Sequence, residues 1–523
     1  MTMKPRLSML AAAVIAATSF PALAGPLDSS SLLWTQRHGV QGSIAAAPSG
    51  FLSEIVTFDS ASKTLWVAGV KGVDVLDARL GTRLGFIDTT PYGSINSVAI
   101  HNGIAAFAME ATDRKLPGQV VLFDTATRAL ASGTHIIAVG SLPDMLTFTP
   151  DGSKLLVANE GTPNWVNGGV NDYGTRIGNT APRNYGTSAN DPLGSVSIIN
   201  MNTRSVIATA GFAGVTVSGS NVRTNTGMDF EPEYIAINAA GTKAFVSLQE
   251  ANAMGVLDLG TNQFIKVVGL GAKDFSLATN AIDTNNNGTV SFAGAAAKGL
   301  YMPDGMATYQ SAGNTFVVMA NEGDFREDDA DRSAASTLGA TGSLAPLRVS
   351  NTDSSTGNLF AAGARSFSIR DTDGNIVYDS GNILDVKANE LSIYDDGRSR
   401  DKGVEPEGVE LMNIDGKTFA FVGLERTLKG AVAVFDITDP VNASFVKMLV
   451  LDAGADGVLL RPEGLKGFAM DGTYYLAIAS EGIDGVDAGT AVFSLAPVPE
   501  PGTYALMAAG LLAVGAAARR RRV

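Results

Sequence analysis

The sequence predicts an all-β fold, a single seven-bladed β-propeller of the YVTN/WD-like kind over residues 30–496, with loop insertions on one face. Three observations carry this expectation. Short β-branched runs alternate with Gly-, Asp- and Asn-rich turns, in a chain with 59 glycines and no helical heptads. A short signature, a polar or acidic residue opening an alternating apolar strand, returns seven times. Each return begins a unit with further strands, and four strands repeated radially make a propeller blade.

The signature runs Glu54-Ile-Val-Thr-Phe58, Asn96-Ser-Val-Ala-Ile100, Asp144-Met-Leu-Thr-Phe148 and Glu233-Tyr-Ile-Ala-Ile237. It continues as Asp304-Gly-Met-Ala-Thr308, Glu407-Gly-Val-Glu-Leu411 and Glu463-Gly-Leu-Lys-Gly467. Proline precedes the acid at Pro143, Pro232, Pro303, Pro406 and Pro462. A turn and a second apolar strand follow, as in Pro150-Asp-Gly-Ser-Lys154 before Leu155-Leu-Val-Ala158. Third strands include Val73–Asp77, Val120–Asp124, Val196–Asn200 and Val432–Asp436; fourth strands include Arg83–Ile87 and Phe445–Leu449. The shortest spacings between signatures, 42 and 48 residues, are blade-sized.

The last unit is short. It holds Leu465–Ala469, Tyr474–Ala479 and Thr490–Leu495 before the chain reaches a proline-rich linker. Leu32-Leu-Trp-Thr-Gln36 is expected to supply its outer strand and so remove a free sheet edge. Two separate β domains split near residues 324–389 are the competing organisation.

Antiparallel pairing places the end of each second strand beside the start of its first strand. Six second strands end at or near an acid: Glu110, Glu160, Glu250, Glu322, Glu425 and Glu481. With the six signature acids, twelve of the fourteen such positions are carboxylates, the exceptions being Asn96 and Val70. The insertions Thr162–Leu193, Gly271–Gly299 and Phe325 to about Asn389 fall on the same rim. Crowded carboxylates repel, and raised pKa values, basic partners, backbone donors or bound cations must relieve them. Arg114, Arg326, Arg426 and Arg461 are near enough in sequence to serve as counter-charges. Ca²⁺ is the expected cation, since hard ions take oxygen ligands; Glu160, Glu233, Asp304, Glu322 and Glu407 are the candidate ligands. In the competing structural reading each acid accepts backbone N–H groups from a neighbouring blade. Asp283-Thr-Asn285-Asn-Asn287-Gly288 has the oxygen spacing of a Ca²⁺ loop, but its twelfth position is Gly294, so a plain Asn/Gly turn competes. Asp371-Thr-Asp373-Gly374-Asn375 reads as a hairpin turn.

Both ends carry export signals. Lys4 and Arg6 precede the apolar run Leu7–Phe20, and Ala22-Leu23-Ala24 offers small residues to signal peptidase, so residues 1–24 read as a cleaved signal peptide. The run is short for an anchor, which needs about 20 residues. At the other end Val498-Pro499-Glu500-Pro501 leads into the apolar stretch Tyr504–Ala518 and four arginines, Arg519 to Arg522. Residues 497–523 resemble the PEP-CTERM sorting signal of Gram-negative bacteria. That resemblance implies recognition by an exosortase, cleavage near Pro-Glu-Pro, transient membrane association through residues 503–518, and delivery to the cell surface or matrix. An ordinary tail anchor is the competing reading.

The formal charge of the 523-residue chain is −14. Removing the six basic residues of the two signals and Glu500 leaves 32 basic against 51 acidic residues, about −19. This argues against nucleic acid or anionic lipid as a partner and suits cations. With no cysteine, thiol catalysis, cysteine-held metals and a Cys-x-x-Cys-His haem site are excluded. No nucleotide cofactor is expected. The three histidines, His38, His101 and His135, give little support to a Ser-His-Asp triad.

The body resembles the choice-of-anchor I family of bacterial surface propellers. The resemblance rests on Leu142-Pro-Asp-Met-Leu-Thr-Phe-Thr-Pro-Asp-Gly152, Val157-Ala-Asn-Glu-Gly161, Asp191-Pro-Leu-Gly-Ser-Val-Ser197, Asp229-Phe-Glu-Pro-Glu233, Ala320-Asn-Glu-Gly-Asp324 and Glu405-Pro-Glu-Gly408. It implies a propeller body joined to interchangeable C-terminal anchors. The family often has glutamate within the Asp-Pro-x-Gly step, where this chain has Leu193. Two functions follow as expectations. One is a non-catalytic surface or matrix protein whose Ca²⁺-supported rim binds polysaccharide or a partner protein. The other is a Ca²⁺-dependent phosphoesterase, a metal-dependent phosphoric ester hydrolase resembling propeller phosphatases and phytases in broad design.

Overall fold

The computed structural model describes residues 27–39, 53–163, 185–186, 189–224, 226–325, 331–452, 457–483 and 488–497. The fold is all-β and propeller-like, with one α-helix, Ile383–Glu390, among the described residues. Seven sheets of four or more strands follow one another along the described chain.

Sheet 1 is Ser53–Asp59, Thr64–Gly69, Gly72–Asp77 and Arg83–Asp88. Sheet 2 is Ser94–His101, Ile104–Glu110, Pro117–Asp124 and Ile136–Ser141, with the short Ala129–Leu130 beside its third strand. Sheet 3 is Pro143–Phe148, Lys154–Asn159, Ser195–Asn200 and Ser205–Ala210. Sheet 4 is Ile235–Ile237, Lys243–Leu248, Ala253–Asp258 and Gln263–Leu270, its edge covered by the parallel strand Val217–Ser220. Sheet 5 is Met306–Ser311, Asn314–Asn321, Ser366–Asp371 and Ile376–Asp379. Sheet 6 is Pro406–Ile414, Lys417–Leu424, Ala431–Asp436 and Ser444–Val450. Sheet 7 is Pro462–Met470, Thr473–Ser480 and Gly489–Pro497, and its outer strand is the N-terminal Ser31–Arg37. In that last pairing Ser31 lies opposite Ser494 and Arg37 opposite Gly489.

These sheets are buried on both faces because side chains alternate across a strand. Phe419 and Phe421 of sheet 6 face Leu476, Ile478 and Phe493 of sheet 7. Their neighbours Ala420 and Val422 face Val318, Phe367 and Ile369 of sheet 5. The same two-sided packing recurs between every consecutive pair, and Val56, Leu65 and Val67 of sheet 1 pack on Phe468, Ala477 and Val492 of sheet 7. The first strands also touch in sequence order, and Ser53–Asp59 meets Pro462–Met470.

One expected insertion differs in its bounds. The segment 325–389 is not one loop: Ser366–Asp371 and Ile376–Asp379 are the third and fourth strands of sheet 5, joined by the turn over Asp371–Asn375. The insertion proper is 325–365 and 380–405. It joins the 271–299 insertion in a single lobe whose core includes Phe275, Ile282, Leu347, Val349 and Leu359. Apolar residues spread over two insertions could not bury themselves separately, and the strand Lys298–Leu300 bridges them by pairing with Ala272–Asp274 and Phe360–Ala362.

Among the described residues no helix is long and apolar enough to cross a membrane. The expected signal peptide, the tail beyond residue 497 and most of the 162–193 insertion lie outside them.

Candidate functional site

The start of each first strand is built by a repeated backbone device. Leu142, Met302, Glu405 and Arg461 each precede a signature proline and each has a left-handed φ, between 42° and 57°. This conformation is costly for a residue with a Cβ and persists only where its surroundings enforce it. The carbonyl of the strained residue accepts an N–H from the second-strand end. Leu142 accepts from Glu160 at 2.8 Å, Glu405 from Glu425 at 2.9 Å and Arg461 from Glu481 at 2.9 Å. Met302 accepts from Gly323, next to Glu322, at 3.0 Å. The two acids of a unit are thereby tied side by side.

A second device sets the distance between units. In sheets 5, 6 and 7 glycine follows the signature acid. A Cβ on Gly305 would stand 2.4 Å from the Glu407 carbonyl oxygen, on Gly408 2.2 Å from that of Glu463, and on Gly464 2.4 Å from that of Glu54. Gly305 N–H donates to the Glu407 carbonyl at 3.2 Å. Glycine lets these backbones touch and crowds the carboxylates of sheets 5, 6, 7 and 1. Three groups result in which carboxylate oxygens lie within 4.8 Å of one another: Asp304, Glu322 and Glu407; Glu322, Glu405 and Glu425; Glu407, Glu425 and Glu463.

The first-strand acids are half-buried and open to the mouth, whereas Glu110, Glu250, Glu322 and Glu425 lie buried behind them. Burial, reinforced by neighbouring carboxylates, pushes Glu54, Glu233, Asp304, Glu407 and Glu463 well above the usual carboxylate range. Asp144 is pushed up to about 7 by burial and by Glu110, against the pull of Arg114. Glu250 and Glu425 are pushed up to about 8, mainly by burial. Such groups share or hold protons near neutral pH, as in the side-chain hydrogen bonds Glu233–Glu250 and Glu407–Glu463.

Between sheets 5 and 6 the compensation is a lysine. Buried Lys402, brought in by the lobe, pairs with Glu322 and lies 3.0 Å from Glu405. Arg398 holds the other Glu405 oxygen at 2.6 Å, and Gln249 donates to Glu322 at 2.8 Å. Burial works to raise Glu405, but Lys402, Arg398 and Arg426 outweigh it and hold the carboxyl at about 2.

The expected counter-charges Arg114, Arg426 and Arg461 meet Glu110 at 3.1 Å, Glu425 at 2.6 Å and Glu481 at 3.0 Å. Arg326 lies outside the described residues. Of the candidate ligands, the structure brings Asp304, Glu322 and Glu407 together. Glu233 pairs instead with Glu250, and Glu160 accepts from the Thr162 hydroxyl while its charge helps push the Glu233 carboxyl up. Asp283, Asn285 and Asn287 lie in the lobe, away from the other candidates. Asp283 accepts N–H groups of Asn285 at 3.0 Å and Ser291 at 2.9 Å, and Asn287 accepts that of Thr289 at 2.9 Å, so backbone donors occupy these oxygens. Sequence reasoning missed Lys402 and the ligand potential of Glu405, Glu425 and Glu463. Lys402 meets a partner 80 positions away, a relation with no local signal.

A separate constellation lies between sheets 7 and 1. His38 Nδ1 is 2.6 Å from Asp74 Oδ2, and its Nε2 is 2.9 Å from Thr490 Oγ1. The order is that of a catalytic triad, but Thr490 and Asp74 are fully buried, so no substrate reaches the hydroxyl. Arg83 adds a 2.7 Å contact to Asp74. The group is a polar latch across the seam.

The choice-of-anchor I domain matches residues 54–440, and the PEP-CTERM protein-sorting motif matches residues 497–522. The motif marks the chain for exosortase during export, and both matches indicate an exported protein anchored at the cell surface of a Gram-negative bacterium. No curated protein matches the chain. Similar solved structures include Kuenenia stuttgartiensis hydrazine synthase, at 11% identity and a TM-score of 0.46, covering 84% of this chain and 96% of that one. Another is the β-propeller domain of Myceliophteria thermophila Cps50 (Swd1), at 9% identity and a TM-score of 0.43, covering 89% and 99%.

Proposed function

The chain belongs to the choice-of-anchor I family, and from that premise we propose that it is a surface-presented binding propeller whose acidic mouth takes up Ca²⁺. The seven sheets are its blades, closed into a ring by the pairing of Ser31–Arg37 with Gly489–Pro497. The observation that carries the reading is the pair of carboxylate groups Asp304–Glu322–Glu407 and Glu407–Glu425–Glu463. Oxygen-only donor sets of this kind suit a hard cation, which displaces the protons that otherwise relieve the repulsion. The cation-completed mouth and its loops then meet an extracellular polysaccharide or matrix protein. Metal analysis of protein purified from its host, with thermal melts in Ca²⁺ and in chelator, tests this. A stoichiometric divalent ion and a higher melting temperature in Ca²⁺ are expected. A metal-free protein whose melting ignores both additions refutes it.

One observation favours a second reading. Glu407 belongs to both carboxylate groups, the place of a ligand bridging two metals. Two-metal sites clamp phosphoryl oxygens and activate water, so a phosphoesterase is the alternative function. Turnover of a phosphoester panel in Ca²⁺, Mn²⁺ or Fe, abolished in Glu407→Gln, would establish it; inactivity throughout removes it.

A further inference from the structure

We propose that the acid-lined mouth points away from the membrane that holds the sorting tail, and that the opposite face of the propeller lies against that membrane. The inference rests on strand direction and does not depend on whether the mouth binds a cation. In sheet 7 Pro462 pairs with Ser480 and Ser480 with Gly489, so these residues lie at the mouth. Pro497 pairs with Thr473, at the far end. The sorting motif begins at that residue. Gly489–Pro497 is a nine-residue strand, so the two faces stand about 27 Å apart at roughly 3.3 Å per residue.

The linker decides the matter. Six residues, Val498 to Thr503, separate Pro497 from the apolar stretch that starts at Tyr504. Fully extended, the seven steps from Pro497 to Tyr504 reach about 24 Å. That is too short to climb past the blade to the mouth, so the apolar stretch enters the bilayer beneath the far face. The N-terminal segment leaves at the same place: Ser31 pairs with Ser494, and the Ser29 hydroxyl donates to the Leu495 carbonyl at 3.4 Å. The two ends of the described chain therefore lie on one side of the propeller.

The chain has no cysteine, so single labels can be placed cleanly. Asn202→Cys lies in an exposed far-side turn and Leu428→Cys in an exposed mouth loop. The full chain, sorting tail intact, is reconstituted in nanodiscs carrying a headgroup acceptor dye, and energy transfer is measured from each label. Unchanged melting temperatures establish that both variants are folded. Strong transfer from position 202 and weak transfer from position 428 are expected, corresponding to a distance difference of about 25 Å. Equal transfer, or stronger transfer from position 428, overturns the proposal.

Discussion

His38 Nδ1 lies 2.6 Å from the carboxylate of Asp74, joining the segment after the N-terminal strand to the third strand of sheet 1. Thr490 holds the other ring nitrogen, so one imidazole touches both sides of the seam between sheets 7 and 1. Removing the imidazole leaves Asp74 with Arg83 at 2.7 Å but takes a partner from it and from the buried Thr490 hydroxyl, at a cost of about 1–3 kcal/mol. His38→Ala is expected to lower the melting temperature while leaving the Ca²⁺-induced shift in place. An unchanged melt would mean that the seam is held by its apolar contacts alone.

Gly408→Ala places a methyl 2.2 Å from the Glu463 carbonyl oxygen, and backbone cannot step aside cheaply. The expected cost is about 1–3 kcal/mol, with loss of the Ca²⁺ response because Glu407 and Glu463 separate. Gly211→Ala, which meets nothing within 4 Å, is the control and should change stability by less than about 0.5 kcal/mol. Denaturant melts of the two variants with and without Ca²⁺ decide the point.

Lys402→Met removes the cation between Glu322 and Glu405. The metal-free variant should be destabilised by about 3–5 kcal/mol, since buried Glu322 loses its cation, whereas Glu405 keeps Arg398 at 2.6 Å. Because Glu322, Glu405 and Glu425 then form an open oxygen set, Ca²⁺ should restore much of the loss. A variant that melts low and ignores Ca²⁺ would show that the lysine does not stand in a cation's place.

The pH dependence has two limbs. Asp144, at about 7, and Glu250 and Glu425, at about 8, titrate above their unfolded values of about 4. Their stabilisation is complete below about pH 4 and is lost as pH rises through 7 to 8. Glu405, held at about 2, contributes above about pH 4.3 and loses its contribution as pH falls toward 2. Metal-free protein should thus melt highest between these limbs, and Ca²⁺ should help more at pH 8.5 than at pH 5. Equal Ca²⁺ shifts at both values would contradict proton displacement at the mouth.

Much of the mouth was legible because its parts are local. The signature acids, the prolines before them and the acids ending second strands all recur in short runs, and antiparallel pairing of first and second strands places them on one rim. Arg114 and Arg426 lie within four residues of the acids they pair with, and Arg461 reaches Glu481, 20 positions on, across a strand pair. The lobe was misread for the opposite reason. Ser366–Asp371 looks like part of a long insertion until it is paired with Asn314–Asn321, and that pairing depends on 44 intervening residues folding elsewhere.

The sequence by itself determined the all-β character, the seven recurring units, the acidic rim and the C-terminal sorting motif, since period-two hydrophobicity, turn residues and targeting segments are short-range patterns. Tertiary structure alone decided which acids touch. Only the backbone contacts at Gly305, Gly408 and Gly464 draw Asp304, Glu407, Glu463 and Glu54 together, and only the lobe carries Lys402 to Glu322. It also put the latch of His38, Asp74 and Thr490 at the seam, and it set the exit of the sorting tail on the face opposite the mouth. These relations join residues tens to hundreds of positions apart, and burial against neighbouring sheets, with no local signal, fixes them.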